Sequence, residues 1–183
     1  EMSASLVGSE MCIRDRMDGV QGNAGYIGHT VLNAEGPMCV CGNRGCLDAY
    51  AGELALNRRY QELTNSENES YYTMRDFMKL SRNGDAVSQK ILKDAAFYLG
   101  ITISNLIKIL EPKMVLIASC EPLKGTTYWN IMEETIKKYH INEMETKLEL
   151  REAQLLEDDY ALGACCYVFE YLFETPRLSL AIL

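Results

Sequence analysis

Apolar residues in the second half of the chain recur at intervals of three and four. Val87, Ile91, Leu92, Ala95, Tyr98, Leu99, Ile103, Leu106, Ile107 and Leu110 mark one face of a long helix that begins at Asp85. It stops before Pro112, whose missing N–H and fixed φ cannot continue a helix. The segment Lys113 to Ser119, apolar throughout from Met114 to Ala118, predicts a buried strand, and Tyr128, Ile131, Met132, Thr135, Ile136 and Tyr139 trace a second helical stripe. Strand and helix together make a βα unit. Lys147 to Arg151 alternates with the two-residue period of a strand, and Tyr160 to Phe173 predicts a final helix before Pro176. Upstream, Thr30-Val31-Leu32 reads as a short strand and Asp48 to Leu63 as a helix. The polar run Thr64 to Ser70 carries a loop signal, and structure resumes at Tyr71-Tyr72. Helical and strand patterns that alternate in this way predict an α/β layer architecture with no internal repeat.

Composition narrows the classes. A chain of 183 residues, 48% apolar and 24% charged, is long enough for one domain with a real core. The apolar stretches Met114 to Ala118 and Ala161 to Phe173 are short or broken by Glu170, below the roughly 20 residues of a membrane span. Seven cysteines, an odd number, suit a reducing compartment, so a cytoplasmic protein without disulfides is expected. A net charge of −8 without a basic stripe opposes direct binding to nucleic acid.

The densest chemistry lies between His29 and Cys46. One imidazole is followed by Cys39-Val40-Cys41-Gly42-Asn43-Arg44-Gly45-Cys46, and one nitrogen with three thiolates suits a tetrahedral zinc ion. Two thiols one residue apart reach the same ion only through a tight turn, for which Gly42 and Gly45 are suited. Four protein ligands, His29, Cys39, Cys41 and Cys46, leave no position for an activated water, so the expected role is structural.

These residues carry a resemblance. Gly22 to His29 and Gly36 to Tyr50 are similar to the signature of the ROK family, which joins repressors, open reading frames and sugar kinases. Its pattern runs Gly-Glu-x-Gly-His, a spacer, then Cys-x-Cys-Gly-Asn-x-Gly-Cys-Leu-Glu, and its zinc ligands fall on His29, Cys39, Cys41 and Cys46. Weaker similarity extends through Asn83 to Ala86, Leu99 to Ile107, Glu111 to Ile117 and Leu162 to Ala164, covering roughly residues 19 to 174. The resemblance implies the C-terminal lobe of an actin-like ATPase (ribonuclease H-like) α/β fold with a zinc-binding loop. The phosphate loop, the catalytic aspartate and the repressors' winged helix would all lie in a preceding segment, so no catalytic residue is expected here. Ser9 to Arg16 fits no family position and resembles a translated sequencing adapter. Residues 1–16 are therefore set apart as a non-native leader, 17–183 as the lobe and 29–46 as its zinc loop; Cys12 carries no weight.

Two departures from the pattern bear on function. Sugar-kinase members place a glutamate before Ile27-Gly28-His29, where it and the histidine contact the sugar; this chain has Tyr26. A phenol lacks the paired charged acceptors that hold a vicinal diol, so Tyr26 is either a changed sugar contact beside His29 or a packed aromatic without a ligand. After the strand Met114 to Ile117 the family usually has glycines that admit the adenine nucleotide; Ala118-Ser119-Cys120 stands there instead. A close-packed turn is the simpler account of it. The remaining residues read plainly: Cys165-Cys166 as packing, Glu157-Asp158-Asp159 as partners of a helix N-terminus, and His140 as a helix-end cation; Trp129 reads as packing before stacking on a sugar, a choice the sequence leaves open.

The expected function is the sugar-sensing and oligomerisation lobe of a ROK-type transcriptional regulator, truncated at its front. Its effector would be a sugar or sugar phosphate, its assembly a homo-oligomer with the helix from Asp85 to Leu110 as a contact surface. DNA would be reached only through the missing N-terminal domain. The alternative is an ATP-dependent sugar kinase of glucokinase type lacking its N-terminal lobe, the one case in which ATP would be a cofactor.

Overall fold

A computed structural model describes residues 20–21, 24–65, 70–119, 121–139, 148–154 and 157–173. The leader at 1–16, Cys12, Cys120, His140 and the centre of the polar run after Thr64 lie outside the described residues. In chain order the elements are α1 (Asp48–Ala51), α2 (Glu53–Thr64), α3 (Met74–Arg82), α4 (Ala86–Leu110), β1 (Met114–Ser119), α5 (Thr127–Tyr139), β2 (Glu149–Gln154) and α6 (Glu157–Phe173). Strands β1 and β2 pair in parallel, Met114 opposite Glu149 through Ser119 opposite Gln154, with α5 as the crossover.

The spine is α4, as its periodicity predicts. Asp85 caps it by accepting from the Ser88 N–H at 2.7 Å, and Glu111, at φ 44°, ends it one residue before Pro112. Ile91, Leu92, Ala95, Ala96, Ile103 and Ile107 are buried against Trp129, Met132 and Ile136 of α5, Phe77 and Met78 of α3 and Leu56 of α2. Each of the Ile, Leu, Met and Phe side chains contributes about 1.5–3 kcal/mol on leaving water, the two alanines less. Trp129 packs in this core, as expected. The large exposed apolar residues of α4 are Ile109 and Leu110, at its end.

Four expectations are corrected. Thr30-Val31-Leu32 is not a strand; Val31 makes a single bridge to Cys46, because the chain turns at Asn33 to Gly36 and both Leu32 and Asn33 direct their N–H groups to the Gly45 carbonyl. The helix from Asp48 to Leu63 is two helices, broken where Gly52 is extended (ψ 147°) and caps α2. Strand β1 is not buried on both faces: its residues alternate exposed and half-buried, with Met114 and Leu116 outward, since helices cover only one face. Cys165 and Cys166 are exposed on α6 rather than packed in a core. That helix begins at Glu157, so the acidic triplet does stand in its first turn.

Candidate functional site

The site forms where three short turns meet ahead of α1. Residues Ile27–His29 make one 3-10 turn, closed when Thr30 donates both its N–H (3.1 Å) and its hydroxyl (2.7 Å) to the Ile27 carbonyl. The Leu47 N–H then donates to the Thr30 carbonyl at 3.1 Å, drawing His29 beside Cys46. Between them the chain forms a knuckle: Met38 bridges Arg44, the Cys39 N–H donates to the Asn43 carbonyl (2.8 Å), and the Gly42 N–H returns to the Cys39 carbonyl (3.0 Å). Gly45 makes this possible. Its φ is +67°, and a Cβ there would stand 1.6 Å from the Asn33 carbonyl oxygen.

His29, Cys39, Cys41 and Cys46 are brought together, one donor atom from each lying within 4.8 Å of the others. Cys41 Sγ is 3.7 Å from Cys46 Sγ, and Cys39 Sγ is 3.6 Å from His29 Nδ1. A tetrahedron with metal–sulfur bonds of about 2.3 Å and a metal–nitrogen bond of about 2.05 Å has edges of about 3.8 and 3.6 Å, so the donor set fits a four-coordinate ion. Cys39 and Cys46 are buried and Cys41 is exposed. Burial, reinforced by the neighbouring thiols, pushes the Cys46 thiol up to about 12, whereas the Asn43 backbone N–H holds Cys41 below its ordinary value. A cation beside Cys46 would offset the burial that disfavours its thiolate.

Tyr26 is exposed, its ring parallel to that of His29 within 16° at a centroid distance of 6.3 Å. The two expected sugar contacts are therefore neighbours at the surface. Asp48, which the sequence reading did not single out, joins them: its carboxylate lies 3.6 Å from His29 Nδ1 and so close over Gly28 that a Cβ there would meet Oδ1 at 2.3 Å. The signal was present, because Asp48 stands where the signature ends Cys-Leu-Glu. Asp48 also lines a hollow of about 430 Å³ with Cys39, Gly52, Glu53 and Tyr71.

At the far end of β1 the Ser119 hydroxyl accepts from the Glu121 N–H at 3.2 Å. It closes a turn, as the plainer account of Ala118-Ser119-Cys120 expects. No helix among the described residues is long and apolar enough to cross a membrane.

Set beside known proteins, residues 13–170 match the sequence profile of the ROK family. The chain belongs to the ROK family. Among curated ROK-type relatives, the xylose repressor of Bacillus subtilis (strain 168) is 29% identical over 156 residues, 85% of this chain and 39% of the repressor. The glucokinase of Halalkalibacterium halodurans is 28% identical over 158 residues, 80% of this chain and 48% of the enzyme. The crystal structure of the ROK hexokinase from Thermus thermophilus superposes with a TM-score of 0.68 at 30% identity, covering 83% of this chain and 52% of the hexokinase. The chain thus spans about two-fifths to one-half the length of these relatives. Its fold is the α/β actin-like ATPase fold of its ROK neighbours.

Proposed function

We propose that this chain is the sugar-sensing and oligomerisation lobe of a ROK-family transcriptional regulator, with a structural zinc ion on His29, Cys39, Cys41 and Cys46. The observation that carries it is Tyr26, an exposed phenol in the position of a kinase carboxylate, beside a histidine whose donor set fits zinc. When bound, zinc supplies a fixed cationic vertex that ties the turn at 26–29 to the knuckle at 39–46. His29 and Tyr26 would contact the effector, a sugar or sugar phosphate, and Asp48 offers the charged acceptor that Tyr26 lacks. The zinc-tied loop would pass a shift to a partner copy, and DNA would be engaged by a separate winged-helix domain. The similarity to the xylose repressor of B. subtilis supports this reading and makes a pentose the first effector to try.

A second reading, an ATP-dependent sugar kinase of glucokinase type, is favoured by the likeness to the Thermus hexokinase. Against it stand side chains where a nucleotide would need close backbone approach, and a Ser119 hydroxyl already used in its own turn. Long-read sequencing of the locus upstream of the Met17 codon tests the choice. A winged-helix frame joined to Gly19 supports the regulator. An Asp-x-Gly-x-Thr loop and a catalytic aspartate without such a domain overturn it in favour of the kinase.

A further inference from the structure

The three thiols of the knuckle differ in access and in pairing. Cys46 and Cys39 are 0% and 4% exposed, and Cys39 Sγ faces His29 Nδ1; Cys41 is open to solvent, with Cys46 Sγ 3.7 Å away. We propose that the knuckle is a peroxide-sensitive latch, in which oxidation joins Cys41 to Cys46 and expels the metal. The proposal rests on the zinc reading above.

The chemistry balances with hydrogen peroxide as the oxidant. The exposed Cys41 thiolate attacks one peroxide oxygen, the O–O bond breaks, hydroxide leaves and a sulfenic acid forms. The Cys46 thiolate then attacks Cys41 Sγ and displaces a second hydroxide. Two thiolates and one peroxide become one disulfide and two hydroxides, the sulfurs giving up the two electrons that reduce the peroxide. The sulfurs need approach by only about 1.7 Å to reach a bond of about 2.05 Å. Only His29 and Cys39 would then remain to hold a zinc ion, too few ligands for a structural site. Release would remove the tie that the ion makes between the knuckle and His29, whose ring lies parallel to that of Tyr26, and leave only the backbone hydrogen bonds to hold that turn. Oxidant would thereby reach the same element as the effector.

The test treats the zinc-loaded full chain with hydrogen peroxide while a chromogenic zinc chelator reports release, followed by thiol counting and peptide mass mapping. Trypsin cuts after Arg44, so a Cys41–Cys46 disulfide joins two peptides that otherwise separate. The expected result is one equivalent of zinc released, two of the seven thiols lost, that cross-link, and full recovery with dithiothreitol and zinc. A Cys165→Ser/Cys166→Ser variant should respond like its parent; loss of the response there overturns the latch. Metal that stays bound, a Cys39–Cys41 pair, or release with only higher oxides at Cys41 overturns the latch and spares the zinc site. A chain that takes up no zinc before peroxide is added overturns both.

Discussion

A phenol and a carboxylate differ in how many hydroxyls they can hold, and under the proposed reading that difference at position 26 would set sugar recognition. Tyr26 is exposed, so replacing it should leave folding alone while changing recognition. Tyr26→Glu restores two charged acceptors next to His29 and Asp48 and should tighten hexose binding by about 1.5–3 kcal/mol, roughly ten- to a hundredfold. Calorimetric titration with D-glucose and D-xylose checks this, and identical affinities in parent and variant would place the sugar elsewhere. Gly45→Ala should be far more damaging. Its Cβ would overlap the Asn33 carbonyl at a positive φ, and a loss of at least about 2 kcal/mol, with metal lost, is expected in a thermal melt and metal assay. At this scale the sequence was most legible where spacing dictates proximity, since His29, Cys39, Cys41 and Cys46, with glycines between them, do come together. Asp48 was legible as the acid that closes the Cys-Leu-Glu end of the signature, but its place beside His29 was not, because only the fold over Gly28 brings the two together.

Elements were legible where one face alone meets a core. The stripe of α4 runs through 25 residues and was read to within a residue at its start, because Asp85 and Pro112 bracket it chemically. The break at Gly52 was not legible, since apolar spacing continues across it and only the backbone changes direction. The outward faces of β1 and α6 were misread for a related reason: apolar runs report what a segment can bury, not what covers it. The start of α3 offers a test of local chemistry. The Thr73 hydroxyl accepts from the Asp76 N–H (3.3 Å) and the Asp76 carboxylate accepts from the Thr73 N–H (3.0 Å), a reciprocal cap. Thr73→Ala should cost about 1 kcal/mol in denaturant unfolding. The hydrogen bonds from Thr73 hold Asp76 below the usual carboxylate range, so its contribution is present above the unfolded value of about 3.9 and is lost as pH falls through the lower native value. The gap in Tm between parent and Asp76→Asn should therefore hold steady above about pH 5 and narrow as the pH falls below about 3.9. A gap that widens on acidification would contradict this assignment.

For the whole molecule the question is whether the metal loop and the helical core melt as one. The knuckle ends at Cys46, α1 starts two residues later, and Tyr50 of α1 stacks on Tyr98 of α4 with ring centroids 3.7 Å apart. The stack joins α1, which follows the candidate metal ligands, to the spine, so a metal ion held only in the folded state should stabilise the entire chain. At free zinc one hundred times the dissociation constant, that linkage is worth about 2.7 kcal/mol. In a chain of this size each kcal/mol moves the midpoint by about 2–4 °C, so stripping the metal with a chelator should lower Tm by about 5–11 °C. Zinc should restore it and magnesium should not, because thiolates and imidazole favour the softer ion. Cys41→Ser should melt like the stripped protein and regain little with zinc. An unchanged Tm after verified metal loss would mean that the loop opens independently of the core, and recovery with magnesium would mean that oxygen ligands, not Cys39, Cys41 and Cys46, hold the ion.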